Sequence, residues 1–315
     1  MQELTTTRHN PQIDPFTHVW GWEIPVYLFL GGMVAGMMII SGYFLFSKRY
    51  KETSCACYTL PLISLVLLSF GMFALFLDLE HKLFVWRLYT TFRISSPMSW
   101  GAWILILVYP AIIANLLIGP PSFLINKFPQ LNKVTTFINQ KPRMIQNIGI
   151  VNMLFGGMLG IYTGVLLSTM GSRPLWNSSI LSILFLVSGL STAAAFVHMI
   201  AKNVYERELL AKADNGFLVI ELFVIMLFLV GLSTSSAVHI AAAKLLISGE
   251  YAPQFWTFVI GLGIVIPLIV QLLAVSHKIK HTPVAPILVI LGGLILRFII
   301  VYAGQYSHYL NAHFK

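Results

Sequence analysis

Eight apolar runs, each about as long as a bilayer is thick, occupy most of this 315-residue chain and leave few folds open to it. A helix crossing the hydrocarbon core needs about 20 predominantly apolar residues. Runs of that kind cover 22–46, 60–80, 98–120, 145–169, 178–201, 217–241, 255–276 and 284–306. Each is apolar on every side instead of alternating, which favours helices over the strands of a barrel. Only 10% of the residues are charged, against about 25% in a soluble domain. The sequence therefore predicts an all-α integral membrane protein, with eight transmembrane helices in two four-helix bundles. The first bundle spans 22–169 and the second 170–306, with an N-terminal segment 1–21 and a tail 307–315 outside the membrane.

Charge placement orients the bundle. The loops after the first, third, fifth and seventh spans hold twelve Lys and Arg, and the other face holds seven. The positive-inside rule then puts both termini outside, which is the periplasm for a bacterial inner membrane. The same rule accounts for the net charge of +9, so nucleic acid is not needed to explain it. Tryptophans collect at span ends, as an interfacial belt does: Trp20, Trp22, Trp86, Trp100, Trp103, Trp176 and Trp256. The polar start, Met1 to Thr17, does not read as a cleavable signal, because the apolar run after it is too long.

Several motifs read as packing and not as chemistry. Gly32 and Gly36, and the series Gly156, Gly160, Gly164, have the spacing that lets helices approach closely. Leu28-Phe29-Leu30 and Leu184-Phe185-Leu186 form a weak internal repeat, which suits two parallel-repeat bundles. Cys55 and Cys57 read as free thiols, since a zinc or iron–sulfur site needs about four ligands. His198, His239 and His277 lie near span ends, so no mid-membrane pair is available for haem. No haem and no metal are expected on this chain. Pro61, Pro110 and Pro267 interrupt apolar runs and are placed near span ends.

The rare ionisable residues carry the functional reading, because each costs about 2.5–3.5 kcal/mol at a helix centre. His18 stands before the first span, and Asp78 closes the second. Tyr162 lies in the outer half of the fourth, and Arg173 follows in the next outer loop. These four groups share one depth and are expected to line one pocket among spans one to four. Glu221 is placed about a turn inside the inner end of span six, and Arg297 in the outer half of span eight. They suit an ion or proton route through the second half. A membrane-soluble quinone needs an apolar cleft, donors for its carbonyl oxygens and a route for protons. Tyr and His serve as donors, and His or a carboxylate exchanges protons.

The residues that carry these expectations sit in longer stretches of the chain. These are Trp22-Glu23-Ile24-Pro25-Val26-Tyr27-Leu28-Phe29-Leu30-Gly31-Gly32, Asp78-Leu79, Ser96-Pro97-Met98-Ser99-Trp100-Gly101 and Tyr162-Thr163-Gly164-Val165-Leu166-Leu167. Arg173-Pro174-Leu175-Trp176-Asn177, Ser188-Gly189-Leu190-Ser191, Leu296-Arg297 and Ala303-Gly304-Gln305 follow. Together they resemble the NrfD/PsrC family, the membrane subunits of polysulfide reductase and related oxidoreductases. One stretch departs from the family's Asp-Leu-Gly-x-Pro: here it reads Asp78-Leu79-Glu80-His81-Lys82.

The resemblance implies the quinone-reactive anchor of a periplasm-facing oxidoreductase, with menaquinone or another quinone bound in the first bundle. It implies two partners, a periplasmic four-cluster iron–sulfur subunit and a molybdopterin catalytic subunit, and leaves open a dimer of such complexes. Under it, His18, Asp78 and Tyr162 are the expected catalytic groups. His18, Tyr162 and Arg173 are expected to contact the quinone, and Asp78, Glu221 and Arg297 to form a proton path. The competing reading is a secondary transporter or ion channel with no redox partner.

Overall fold

The computed structural model describes residues 20–53, 57–276 and 282–308, and within them the chain is helical with no strand. Among the described residues, eight helices are long and apolar enough to span a membrane. They are α1 (Glu23–Phe46), α2 (Leu60–Asp78), α3 (Pro97–Leu116), α4 (Pro142–Ser168), α5 (Ile180–Ile200), α6 (Val204–Ser233), α7 (Ala252–Val275) and α8 (Val284–Tyr306). Proline sets several of their starts. Pro61, Pro97, Pro142 and Pro253 occupy the first turn of α2, α3, α4 and α7, where a missing N–H costs nothing.

Span six differs most from its expected bounds of 217–241. It begins thirteen residues earlier, at Val204, and stops at Ser233. The early start has a local cause. Asn203 caps the helix by accepting the Tyr205 N–H at 3.1 Å. The polar run that follows, Glu206 to Lys212, is rich in good helix formers. The early stop falls in Thr234-Ser235-Ser236, after which Ala237–Ile247 forms a separate short helix. Glu221 thus lies near mid-helix, not a turn from either end. Pro267 also falls well inside its span, where the eleven residues before Ile266 wind as a π-helix. A proline has no N–H for the preceding turn, and wider winding is one way a helix absorbs that loss.

α1 is the most enclosed helix and packs against α2, α4, α5 and α8. Contacts link α1, α2, α3 and α4 in a ring, and α5, α6, α7 and α8 in another. α1 and α4 meet α5, and α1 also meets α8. Glycines make the crossings close. A Cβ on Gly36 would lie 2.7 Å from that of Ala193 on α5, and one on Gly156 would lie 2.8 Å from the Ala35 carbonyl oxygen. Neither fits, so both glycines are required by helix approach. The outward faces of α2, α3, α6 and α7 expose Phe70, Phe73, Trp103, Phe223, Met226 and Leu272. In water this surface would drive aggregation; in lipid it is the natural solvent boundary.

Candidate functional site

Helices that alternate in direction bring the start of α1, the end of α2, the start of α3 and the end of α4 to one face. A narrow cavity of about 80 Å³ opens there, closed on one side by the short helix Trp86–Thr90. Its walls are apolar apart from three phenols, Tyr27, Tyr89 and Tyr162. Tyr27 and Tyr162 are 3% and 6% exposed, yet neither hydroxyl makes a hydrogen bond among the described residues. Neither hydroxyl is among the fully enclosed atoms left without a partner, so each keeps accessible surface, and a guest in the cavity can supply the acceptor. Tyr89 stands outside the spans, and burial raises its phenol above the ordinary value, with Tyr109 adding to the effect. It is therefore a neutral donor at physiological pH.

Backbone shape fixes these rings. A Cβ on Gly101 would overlap the Tyr162 ring, so α3 can pass the phenol only as glycine. Tyr27 lies beside Gly71 of α2, whose Cβ position would be 3.9 Å from the ring. Met72 and Met98 complete the wall. Their flexible thioethers let a narrow apolar cavity change shape around a flat guest.

The expected site residues separate. Tyr162 lines the cavity. Asp78 does not, but its neighbour Leu79 does, and Asp78 faces a shallow depression formed by its own loop through Phe84. His18 lies outside the described residues. Arg173 joins a different assembly on the same face. Its Nη1 donates to the Gln305 carbonyl at 2.6 Å and meets His308 Nδ1 at 2.5 Å. Trp176 donates from its indole to the Ile300 carbonyl at 2.8 Å and stacks on Trp20 at 5.1 Å. Gln305 holds both the N–H and the carbonyl of Trp20, at 2.9 and 3.0 Å. This knot ties the loop between α4 and α5, the approach to α1 and the end of α8 together.

A second polar cluster lies among α5, α6, α7 and α8. Arg297 is 1% exposed. It donates to Ser188 Oγ at 3.0 Å and to the Phe185 carbonyl at 2.9 Å, with its guanidinium 4.2 Å over the Phe185 ring. Glu221 bonds the same Ser188, so the two charges are joined through a hydroxyl. Two turns along α6, Asp214 is wholly buried. It accepts from Ser191 at 2.8 Å and from Gln271 at 2.7 Å. The Gln271 and Asn215 carbonyl oxygens and Arg297 Nε are buried beside this cluster with no partner among the described residues.

Sequence reasoning missed Tyr27, Gly101 and Asp214. Asp214 had a signal: it precedes Glu221 by seven residues, two helical turns on one face. Starting span six at 217 hid that register. Tyr27 and Gly101 had only their place within the Trp22–Gly32 and Ser96–Gly101 stretches.

The comparisons with known proteins extend over nearly the whole chain. Residues 6–307 match the family described as polysulphide reductase, NrfD. One of the chains of the Wolinella succinogenes polysulfide reductase is 32% identical over 307 residues, covering 92% of this chain and 95% of the relative. A Haemophilus influenzae protein named Protein NrfD homolog is 29% identical over 94% of this chain and 96% of its own length. Protein NrfD of Escherichia coli is 29% identical over 91% of this chain and 95% of its own length. With eight helices among the described residues long and apolar enough to span a membrane and a match of this length, the chain is a multi-pass membrane protein that belongs to the NrfD polysulphide reductase family.

Proposed function

We propose that this protein is the quinone-reactive membrane subunit of an oxidoreductase complex of the polysulfide-reductase type. The observation that carries the reading is the apolar cavity into which two buried phenols, Tyr27 and Tyr162, bring unpaired hydroxyls. Family membership supports a redox role within a multi-subunit complex. A quinol bound there, menaquinol by preference, supplies two electrons and two protons.

Tyr162 and Tyr27 donate hydrogen bonds to the two ring oxygens, and Tyr89 closes the mouth as a further donor. The apolar walls exclude water from the ring. Asp78, one residue from the cavity wall, receives a proton on its carboxylate and passes it to the adjoining surface, with His18 as the expected relay. Electrons leave to an iron–sulfur subunit docked on this face, and a molybdopterin subunit beyond it reduces the terminal substrate. Both termini then lie in the periplasm, as the Lys and Arg distribution favours. The four helices around the cavity act as one bundle and α5 to α8 as the other.

Asp214, Glu221 and Arg297 form a proton path through the second bundle. The buried oxygens left without partners beside Asp214 support that role, because water or a proton can satisfy them. Arg173 serves this complex by holding the outer face in shape.

Quinol oxidation by the assembled complex tests the site. Tyr162→Phe, Tyr27→Phe and His18→Ala are each expected to weaken quinol affinity or turnover by about fivefold, the size of one hydrogen bond. Wild-type rates and affinity in all three would reject the cavity. A transporter would instead move substrate in liposomes containing this chain alone, without quinone or partner. The π-wound segment and mid-span Pro267 of α7 are the features that favour that reading.

A further inference from the structure

A cavity of about 720 Å³ opens at the opposite face, where α1 ends and α4 begins. Lys48, Lys141 and Arg143 line it with the amides Gln146 and Asn147, and no acidic residue does. Three exposed cations around one hollow repel one another, and an anion between them removes that cost. The floor is fixed, because Gln146 on α4 donates to the Phe46 carbonyl of α1 at 3.1 Å. Lys141 is steadied by the Phe137 ring, 4.0 Å from its ammonium. α4 adds the positive end of its dipole, starting at Pro142.

The backbone gives an independent indication. Lys48 is the one non-glycine residue with positive φ among those described, at 60°. It follows α1 in the place where a helix commonly ends on glycine in the left-handed conformation. Glycine would adopt that turn without strain. The chain instead carries a cation there, at the cavity's rim.

What reaches the hollow is indicated by its surroundings. α1 exposes Phe46 at the level of the floor and Tyr43 about a turn deeper, and α4 exposes Ile150 and Leu154 one and two turns beyond Gln146 on the same face. These side chains offer an apolar track beside a cationic pocket at the membrane boundary. We propose that this cavity binds a phosphate group, presented as the headgroup of an anionic phospholipid whose acyl chains lie along that track. Basic pockets between spanning helices recognise such headgroups through the same chemistry.

The test uses the full chain, purified and stripped of lipid in neutral detergent. Native mass spectrometry then measures binding of phosphatidylglycerol, phosphatidylcholine and inorganic phosphate. Phosphatidylglycerol is expected to bind and phosphatidylcholine not. Each cation contributes about fivefold at a membrane surface. Lys48→Gln with Arg143→Gln should therefore weaken phosphatidylglycerol by about thirtyfold. Lys127→Gln with Lys133→Gln removes the same charge elsewhere on this face and should change little. Lys48→Gly separates binding from folding: it should lose about fivefold in affinity while the unfolding temperature holds or rises. Failure of inorganic phosphate to displace the lipid supports the headgroup as the source. Displacement at low concentration, lost in the double variant, supports the phosphate site with a free anion as the source. Wild-type affinity in Lys48→Gln with Arg143→Gln, equal loss in the Lys127 and Lys133 control, or equal binding of phosphatidylcholine overturns the proposal.

Discussion

Around the cavity of α1 to α4 the buried polar groups are neutral phenols whose hydroxyls have no partner among the described residues. Among α5 to α8 they are ionisable groups whose main bonds are made within the protein: Arg297 to Ser188 and Phe185, Asp214 to Ser191 and Gln271. The difference follows from what each region can tolerate. A charge in the membrane interior must be paired or it is expelled, so the charges of the second cluster make their main bonds within the protein, and only the Gln271 and Asn215 oxygens and Arg297 Nε are left over among the described residues. A phenol costs far less when left waiting, so the first region can keep donors free for a guest. Substitutions should therefore reach stability through the second region and ligand binding through the first.

The largest expected effect is on stability. Arg297→Leu leaves Ser188 and the Phe185 carbonyl short of a donor and Glu221 without its nearby positive charge. Breaking a buried pair by removing one partner costs about 3–5 kcal/mol. Chemical unfolding in detergent should show a loss of that size, and adding Glu221→Gln should recover a large part of it. A loss below about 1 kcal/mol in the single variant would erase the contrast between the regions, because then neither depends on its polar groups.

Gly101→Ala comes next, and it acts on the cavity. The added methyl overlaps the Tyr162 ring, and overpacking of a fitted site costs about 1–3 kcal/mol. The ring must swing, so quinol oxidation by the complex should fall about tenfold to a hundredfold. Gly157→Ala on α4 is the matched control, since a Cβ there meets nothing within 4 Å. Equal activity in the two alanine variants would show that Tyr162 need not stand where Gly101 puts it.

How much of this was readable in the chain depends on which force decided the outcome. Seven of the eight spans lie within a few residues of their apolar runs, because bilayer thickness fixes them and little else competes. Span six departed where capping by Asn203 and the helix-forming run after it outweighed polarity. Tyr162 and the buried Glu221 and Arg297 stood out as polar groups in apolar runs. Tyr27 and Gly101 did not, because their roles come from contacts between helices distant in sequence. Arg173 was legible as a residue at the same end of the bundle as Tyr162, but its partners Gln305 and His308 lie 132 and 135 residues away. Depth along the membrane is written in hydropathy; azimuth around each helix is only weakly so, and the cavity depends on azimuth.

The phenols themselves give a smaller, cleaner effect. Tyr162→Phe and Tyr27→Phe remove hydroxyls that bond nothing in the described protein, so unfolding should be nearly unchanged. Each should weaken quinol binding by about 1 kcal/mol, or roughly fivefold, read from inhibitor titration or the KM for quinol. A stability loss with intact binding would reverse the assignment and make the phenols structural.

The smallest effect separates the knot from the cavity on the face they share. The sequence places Arg173 at the same depth as Tyr162, and a role at the quinone follows if depth alone matters. The structure gives its guanidinium to the Gln305 carbonyl and to His308, beside the Trp20–Trp176 stack. Arg173→Gln should therefore lower stability by about 1 kcal/mol, the net value of such a partly exposed hydrogen bond. The KM for quinol should stay within about twofold of wild type, because no cavity wall moves. Trp176→Phe should behave alike, losing the indole bond to Ile300 and part of the stack. If Arg173→Gln instead raises the KM about tenfold with unfolding unchanged, the arginine reaches the quinone in the working complex. The boundary drawn between knot and cavity would then have to be moved to include it.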